Sequence, residues 1–137
     1  MGELENLSRR FGGHVPGLLG ARAGYAVLCP LVERPEGVHL LFEVRSPTVS
    51  QGGEVCFPGG RMEPGETPQS CALRETWEEL AIPPRAVHIL GRLDFIAHRA
   101  GFLMHAVAAK VDRAAAEHMR PSPAEVAETF LVPLDFF

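Results

Sequence analysis

The chain has no long hydrophobic run, no excess of basic charge and no paired-cysteine motif, and each absence removes a class of function. Its longest apolar stretches, such as residues 25 to 32, fall far short of the ~20 residues that cross a bilayer. Thirteen Lys and Arg stand against 17 Asp and Glu, a formal charge of −4. No basic field therefore draws in nucleic acid, and an anionic substrate has to be met by cations or by local arginines. The three cysteines, Cys29, Cys56 and Cys71, are odd in number and form no CxxC pair, and the six histidines show no ligand spacing. These features read as reduced, packed thiols in a cytoplasmic protein, with no zinc site. The first residues lack the basic region and apolar stretch of a secretory signal.

What is present is enough apolar material, 46% of 137 residues, for one domain with a real core. Residues 3 to 11 read as a short helix, followed by breaks at Gly12–Gly13 and Pro16–Gly17. Residues 23 to 32 suit a buried strand, with Pro30 pointing to an edge or bulge near its end. A turn at residues 35 to 37 precedes a second strand over 39 to 44, and a polar loop over 46 to 53 leads to a short strand at 54 to 57 that Pro58, Gly59 and Gly60 end. Residues 87 to 97 and 102 to 111 form an antiparallel pair, 113 to 125 a loop with some helical character, and 129 to 132 a last strand before a further helix start at 134. Mixed strands around at least one long helix give an α/β or α+β sandwich with a mixed sheet between helices.

The long helix is the best-signalled element. Thr67 is its N-cap, Pro68 occupies N1 where a missing N–H costs nothing, and Pro83–Pro84 stop the helix after Leu80. Leu73, Trp77 and Leu80 fall on one side and are expected to pack on the sheet. Glu75, Glu78 and Glu79 fall on the other, at i, i+3 and i+4. Three like charges this close repel one another, and they sit near the helix C-terminus, where the macrodipole disfavours anions. Mg²⁺ or Mn²⁺ reverses that balance, because hard cations prefer carboxylate oxygens. An ordinary solvated acidic face is the competing reading. Arg74 is placed to pair with Glu78 or, across the loop, with Glu66, and Gly59, Gly60 and Gly65 allow tight turns and close approach to a ligand.

Gly60, five residues, Glu66, seven residues, then Arg74-Glu75-Thr76-Trp77-Glu78-Glu79-Leu80-Ala81-Ile82 resembles the signature of the Nudix family, with every charged position and spacing in place. Two positions depart from it. Thr76 stands at an aliphatic place, and Ala81 stands where the family has glycine, at a cost of about 1 kcal/mol if the backbone there is left-handed. The resemblance implies an α/β/α sandwich, metal-dependent hydrolysis of a nucleoside diphosphate linked to another moiety, and Glu75, Glu78 and Glu79 as ligands of Mg²⁺ or Mn²⁺. Glu78 is then the candidate base that accepts a proton from water, with Glu75 and Glu128 as rivals. Arg74 and Glu66 orient the site.

Upstream, Arg45, Ser46, Gly53 and Phe57-Pro58-Gly59-Gly60 are similar to a second signature, that of the coenzyme A pyrophosphatase subgroup. Phe42 and Glu43 replace Leu-Thr there, and no arginine stands near Val49 or Ser50. This similarity implies coenzyme A or a derivative as substrate, cut to 3′,5′-ADP and 4′-phosphopantetheine, with Arg45, Gly59 and Gly60 as substrate contacts and Glu125 and Glu128 as accessory carboxylates. ADP-ribose, a dinucleoside polyphosphate or a modified nucleoside triphosphate are alternative substrates, and a catalytically silent nucleotide-binding module or an acidic-helix structural protein are alternative classes. Members of the subgroup continue past a segment like Val132-Pro133-Leu134. The apolar Phe136 and Phe137 therefore read as a truncated end or as a surface covered by another chain, as in a homodimer.

Overall fold

The computed structural model describes residues 2–15 and 23–137. The expected break at Pro16–Gly17 lies outside the described residues. Helix α1 (Glu3–Gly12) forms where expected and buries none of its residues. The core starts with strand β1 (Ala23–Arg34), whose alternation is of period two: Ala26, Leu28, Pro30 and Val32 are buried, while Tyr25, Val27, Cys29 and Leu31 are half-buried on the other face. β1 is followed by β2 (Gly37–Arg45), β3 (Val55–Cys56) and β4 (Gly59–Arg61). Helix α2 (Pro68–Leu80) comes next, then β5 (Val87–Arg92), β6 (Ile96–His98), β7 (Phe102–Val111), helix α3 (Arg113–Glu117) and β8 (Val126–Pro133). A single 3₁₀ turn, Leu134–Phe136, stands where a helix start is read from the sequence. No described helix is long and apolar enough to cross a membrane.

The sheet is mixed, as expected. β1 lies parallel to β7 on one edge, with Leu28 opposite Val107 and Pro30 opposite Ala109. Its other edge is shared: β4 pairs antiparallel with residues 25–27 and β2 with residues 31–34. Pro30 is thus in the middle of the sheet, not at its edge, and is tolerated because it falls in the gap between these two ladders, where no donor is required. β2 passes from β1 to β3 along one side and carries β8 along the other. β5 and β6 pair with β7, which divides the expected strand over residues 87 to 97 into two. Gly59 and Gly60 do not end a strand but begin one, because β1 supplies backbone partners for them.

α2 packs against β1, β4 and β7, and its bounds are those read from its caps. The Thr67 hydroxyl accepts from the Ser70 N–H at 3.1 Å and the Ser70 hydroxyl accepts from the Thr67 N–H at 3.0 Å, a reciprocal box. Its phase differs from the expectation. Cys71, Ala72, Thr76 and Leu80 are buried, whereas Trp77 is 50% exposed and Leu73 lies at the core's margin. At about 100° per residue, Ala72, Thr76, Glu79 and Leu80 share an arc of about 100°, and Trp77 lies well outside it. Small side chains at 72 and 76 let the helix come close to the sheet, where an indole does not fit. Thr76 satisfies its buried hydroxyl by donating to the Ala72 carbonyl at 2.7 Å, so the aliphatic place tolerates it.

The loop between β4 and α2 is clamped by one residue. Arg74 donates from Nε and Nη2 to the two Glu66 carboxylate oxygens, each at 2.9 Å, and from Nη2 to the Arg61 carbonyl at 3.1 Å. Glu66 also accepts from the Glu63 N–H at 2.7 Å. Arg74 and then that N–H hold the Glu66 carboxyl down to about 2, from an ordinary 4.5. At the other end of α2 the chain leaves through Ala81 at φ 54° and ψ 33°, the left-handed conformation, and its N–H donates to the Trp77 carbonyl at 2.9 Å.

Two outcomes are expected. Ala81→Gly should stabilise the fold by about 1 kcal/mol, a rise of about 3–5 °C in thermal midpoint, because glycine occupies this conformation without a Cβ penalty; an unchanged or lower midpoint by calorimetry counts against the strain. The Glu66 contribution is fully present above pH 4.5 and is lost as pH falls toward about 2. Glu66→Gln should therefore flatten the acid limb of stability in that window, read by urea denaturation at stepped pH, and a limb as steep as that of the wild type counts against the clamp.

Candidate active site

The site assembles where β4, the end of β2 and α2 meet. β4 fits between β1 and α2 only because two of its residues lack side chains. A Cβ at Gly59 would meet the Ala26 carbonyl oxygen and lie 2.6 Å from Val27 Cα, and one at Gly60 would lie 2.7 Å from Glu75 Cδ. Neither glycine is needed for an unusual φ; both are needed for close approach. The Gly59 N–H donates to Glu79 Oε2 at 3.2 Å, and the Cys71 thiol donates to the Gly60 carbonyl at 3.5 Å. The two glycines thus set the position of the helix carboxylates; Gly59's N–H is already committed to one of them.

The three glutamates of α2 occupy graded depths. Glu79 points inward and is 7% exposed, Glu75 lies between with a side chain 14% exposed, and the Glu78 side chain is 48% exposed. Arg74 Nη1 bridges the outer two, at 2.9 Å from Glu75 and 3.2 Å from Glu78 Oε2, while its remaining nitrogens hold Glu66. It makes both pairings offered by the sequence. Its guanidinium is held above its ordinary range, first by the Glu66 hydrogen bonds. Burial raises the Glu75 carboxyl, and the Arg74 charge opposes the shift. Arg61, Met62, Glu63, Arg74 and Glu75 line an open cleft of about 690 Å³ beside this array.

Glu79 has a neighbour that sequence reasoning did not assign to the site. Glu43, on β2, is 3% exposed and stands within hydrogen-bonding reach of Glu79. Both carboxyls are pushed upward, first by burial, and Glu79 further by the Glu43 charge. The signal was present in the alternation of β2, which puts residue 43 on the same inward face as the fully buried Leu41. Arg45, at the end of β2, donates from Nε to the Ser50 carbonyl at 2.9 Å and so ties down the following loop.

The accessory carboxylates separate. The segment after α3 caps the end of α2, with the Arg120 and Ser122 N–H groups donating to the Leu80 and Glu79 carbonyls at 2.8 and 2.7 Å. It then meets β2, where the Ser46 N–H donates to the Glu125 carbonyl at 2.9 Å. Glu125 comes within electrostatic reach of Glu43 and Glu75. Glu128 does not join them: it stands opposite Val44 on β8, on the face that carries Phe42 and Phe130, because Glu43 and Thr129 take the inward register.

Among the described residues no three Asp, Glu, His or Cys side chains are already gathered as a metal cluster. Arg74 draws Glu75 and Glu78 outward, and Glu79 turns in toward Glu43. The donor chemistry nevertheless fits a hard divalent cation: the donors are carboxylate oxygens, and Glu43 Oε2 is buried with only the Glu79 carboxyl to partner it.

Residues 22–136 match the NUDIX domain family. The chain is 37% identical to Nudix hydrolase 3 of Caenorhabditis elegans, over 96% of this chain and 58% of that protein. It is 36% identical to the peroxisomal coenzyme A diphosphatase NUDT7 of Mus musculus, over 82% of this chain and 48% of that protein. It therefore spans about half to three-fifths of the length of these curated relatives. Among solved structures it is similar to the Nudix hydrolase RenU of M. smegmatis, with a TM-score of 0.68 and 27% identity over 84% of this chain and 73% of that one. A C. elegans Ap4A hydrolase shares the fold at a TM-score of 0.69 and 20% identity, over 81% of this chain and 80% of that one. The mixed sheet, the clamped glycine turn, the spacing of Arg74 and its glutamates and the match over residues 22–136 agree: the chain belongs to the Nudix family.

Proposed function

We propose that this domain hydrolyses a nucleoside diphosphate linked to another moiety, with coenzyme A or a derivative as substrate and 3′,5′-ADP and 4′-phosphopantetheine as products. The observation that carries the reading is the Arg74 hub, which fixes Glu66, Glu75 and Glu78 beside a cleft and leaves Glu79 seated against Gly59. The choice of coenzyme A is supported by the 36% identity to the mouse coenzyme A diphosphatase and by Arg45 and Phe57-Pro58-Gly59-Gly60. In this reading the domain is single and cytoplasmic and binds a small nucleotide, not nucleic acid.

Glu75, Glu78 and Glu79 are the residues that would hold Mg²⁺ or Mn²⁺. Such a cation, when bound, supplies charge neutralisation of the diphosphate and acidifies water. The chain's own residues do the rest. Glu78, the most exposed of the three, accepts the proton of the attacking water. Arg74 keeps Glu75 and Glu78 at fixed spacing, so that little reorganisation is needed during reaction. Arg61, at the cleft, and Arg45, at the end of β2, meet the phosphates of the substrate.

The test is a hydrolysis screen of coenzyme A, ADP-ribose and a dinucleoside polyphosphate in Mg²⁺ and in Mn²⁺, with products separated by chromatography: 3′,5′-ADP and 4′-phosphopantetheine from coenzyme A, and AMP from ADP-ribose. Coenzyme A should be turned over fastest, and chelation of the metal should abolish turnover. Glu79→Gln should lower it by roughly a hundredfold or more. Preference for ADP-ribose would correct the substrate, and near-normal activity of Glu79→Gln would remove the assigned role of that residue.

A further inference from the structure

Glu43 reaches the site from the sheet, whereas Glu75, Glu78 and Glu79 all come from α2. Its Oε1 accepts a weak hydrogen bond from Cys56 Sγ at 3.7 Å, and its Oε2 is fully buried with no donor beside it except the Glu79 carboxyl in its protonated form. A buried polar atom without a partner is costly, and a second carboxyl pressed against it adds repulsion. The charge of Arg45 relieves it only in part. Arg45 Nε is committed to the Ser50 carbonyl, and Arg74 is committed to Glu66, Glu75 and Glu78. Glu125 adds further negative potential at the rim. A hard divalent cation between Glu43 and Glu79 takes the place of the proton that otherwise joins them and lets both carboxyls ionise.

We propose that Glu43 is an additional ligand of the cation site, so that Glu43 from β2 and Glu79 from α2 together hold one divalent ion between sheet and helix. The inference rests on the reading of Glu79 as a metal ligand given above. It makes the innermost ion of this chain dependent on a residue outside the helix signature. It also assigns a use to a buried charge that packing alone disfavours.

Mn²⁺ alone is the probe, with binding measured by calorimetry and by water-proton relaxation on the wild-type chain, Glu43→Gln, Glu43→Asp and Glu79→Gln, all without substrate. Folding of each is checked by circular dichroism. Glu43→Gln should lower Mn²⁺ affinity by about tenfold or more, and its melting point without metal should be no lower than that of the wild type, since a buried charge has been removed. Glu43→Asp retains the charge but retracts the oxygens and should bind with intermediate affinity. Wild-type affinity in a folded Glu43→Gln, with Glu79→Gln impaired, overturns this inference and leaves the functional reading intact. Wild-type affinity in Glu79→Gln overturns the role of Glu79 and this inference with it. If Glu43→Gln does not fold, Glu43→Asp decides: a loss of affinity supports the assignment, and wild-type affinity overturns it.

Discussion

Everything in the site depends on two side chains that are not there. Gly59 and Gly60 let β4 lie in contact with β1 on one side and with the glutamates of α2 on the other. A single methyl at either place has nowhere to go without moving backbone or displacing the Glu75 carboxyl. The helix is therefore not simply docked on a sheet. Its acidic face is set against a strip of bare backbone, which gives Glu79 an N–H to accept from and excludes bulk that would hold Glu75 away. Fine placement of the carboxylates follows from packing, and packing here is a matter of close contact between backbone and side-chain oxygen.

The charges are arranged so that the domain carries part of its own neutralisation. Arg74 lies among Glu66, Glu75 and Glu78, and its fork geometry lets one guanidinium satisfy several oxygens at once. A lysine presents a point charge and has no such fork. The inner pair, Glu43 and Glu79, has only the Arg45 charge acting on Glu43 and the Gly59 N–H on Glu79, so the array is better balanced at its outer side than at its inner side. That asymmetry gives the site a direction. Added positive charge is favoured most where solvent reaches least.

Much of this was legible from the sequence because local chemistry writes it there. The cap at Thr67, the proline at N1 and the run of charged spacings define α2 to the residue, since caps act within one turn. The sequence raises the left-handed conformation at Ala81 only as a condition, at the place where the family has glycine, and the fold meets that condition. Other features needed partners that no local pattern contains. β4 reads as a turn because its residues have low strand propensity, and it becomes a strand only because β1 is beside it. The phase of α2 was misread because Trp77 counts as core by hydrophobicity, whereas Ala72 and Thr76 bury the face by being small. Glu43 was noted as a departure from a motif, but its closeness to Glu79 requires β2 and α2 to be joined through the fold. Glu128 carries the right chemistry on the wrong side of the sheet, a matter of register alone.

The parallel pairing of β1 with β7 has a kinetic consequence. Every element that builds the site, from β2 through α2, lies in the stretch of chain that this pairing closes into a loop. Antiparallel neighbours and a well-capped helix form from contacts nearer in sequence, but the closing pair must bring distant strands together before its ladder is rewarded. Such mixed topologies fold more slowly than helical bundles of similar stability. Glu43 and the three glutamates of α2 all lie inside that loop, so a cation that binds them only in the folded domain also stabilises the pairing that closes it.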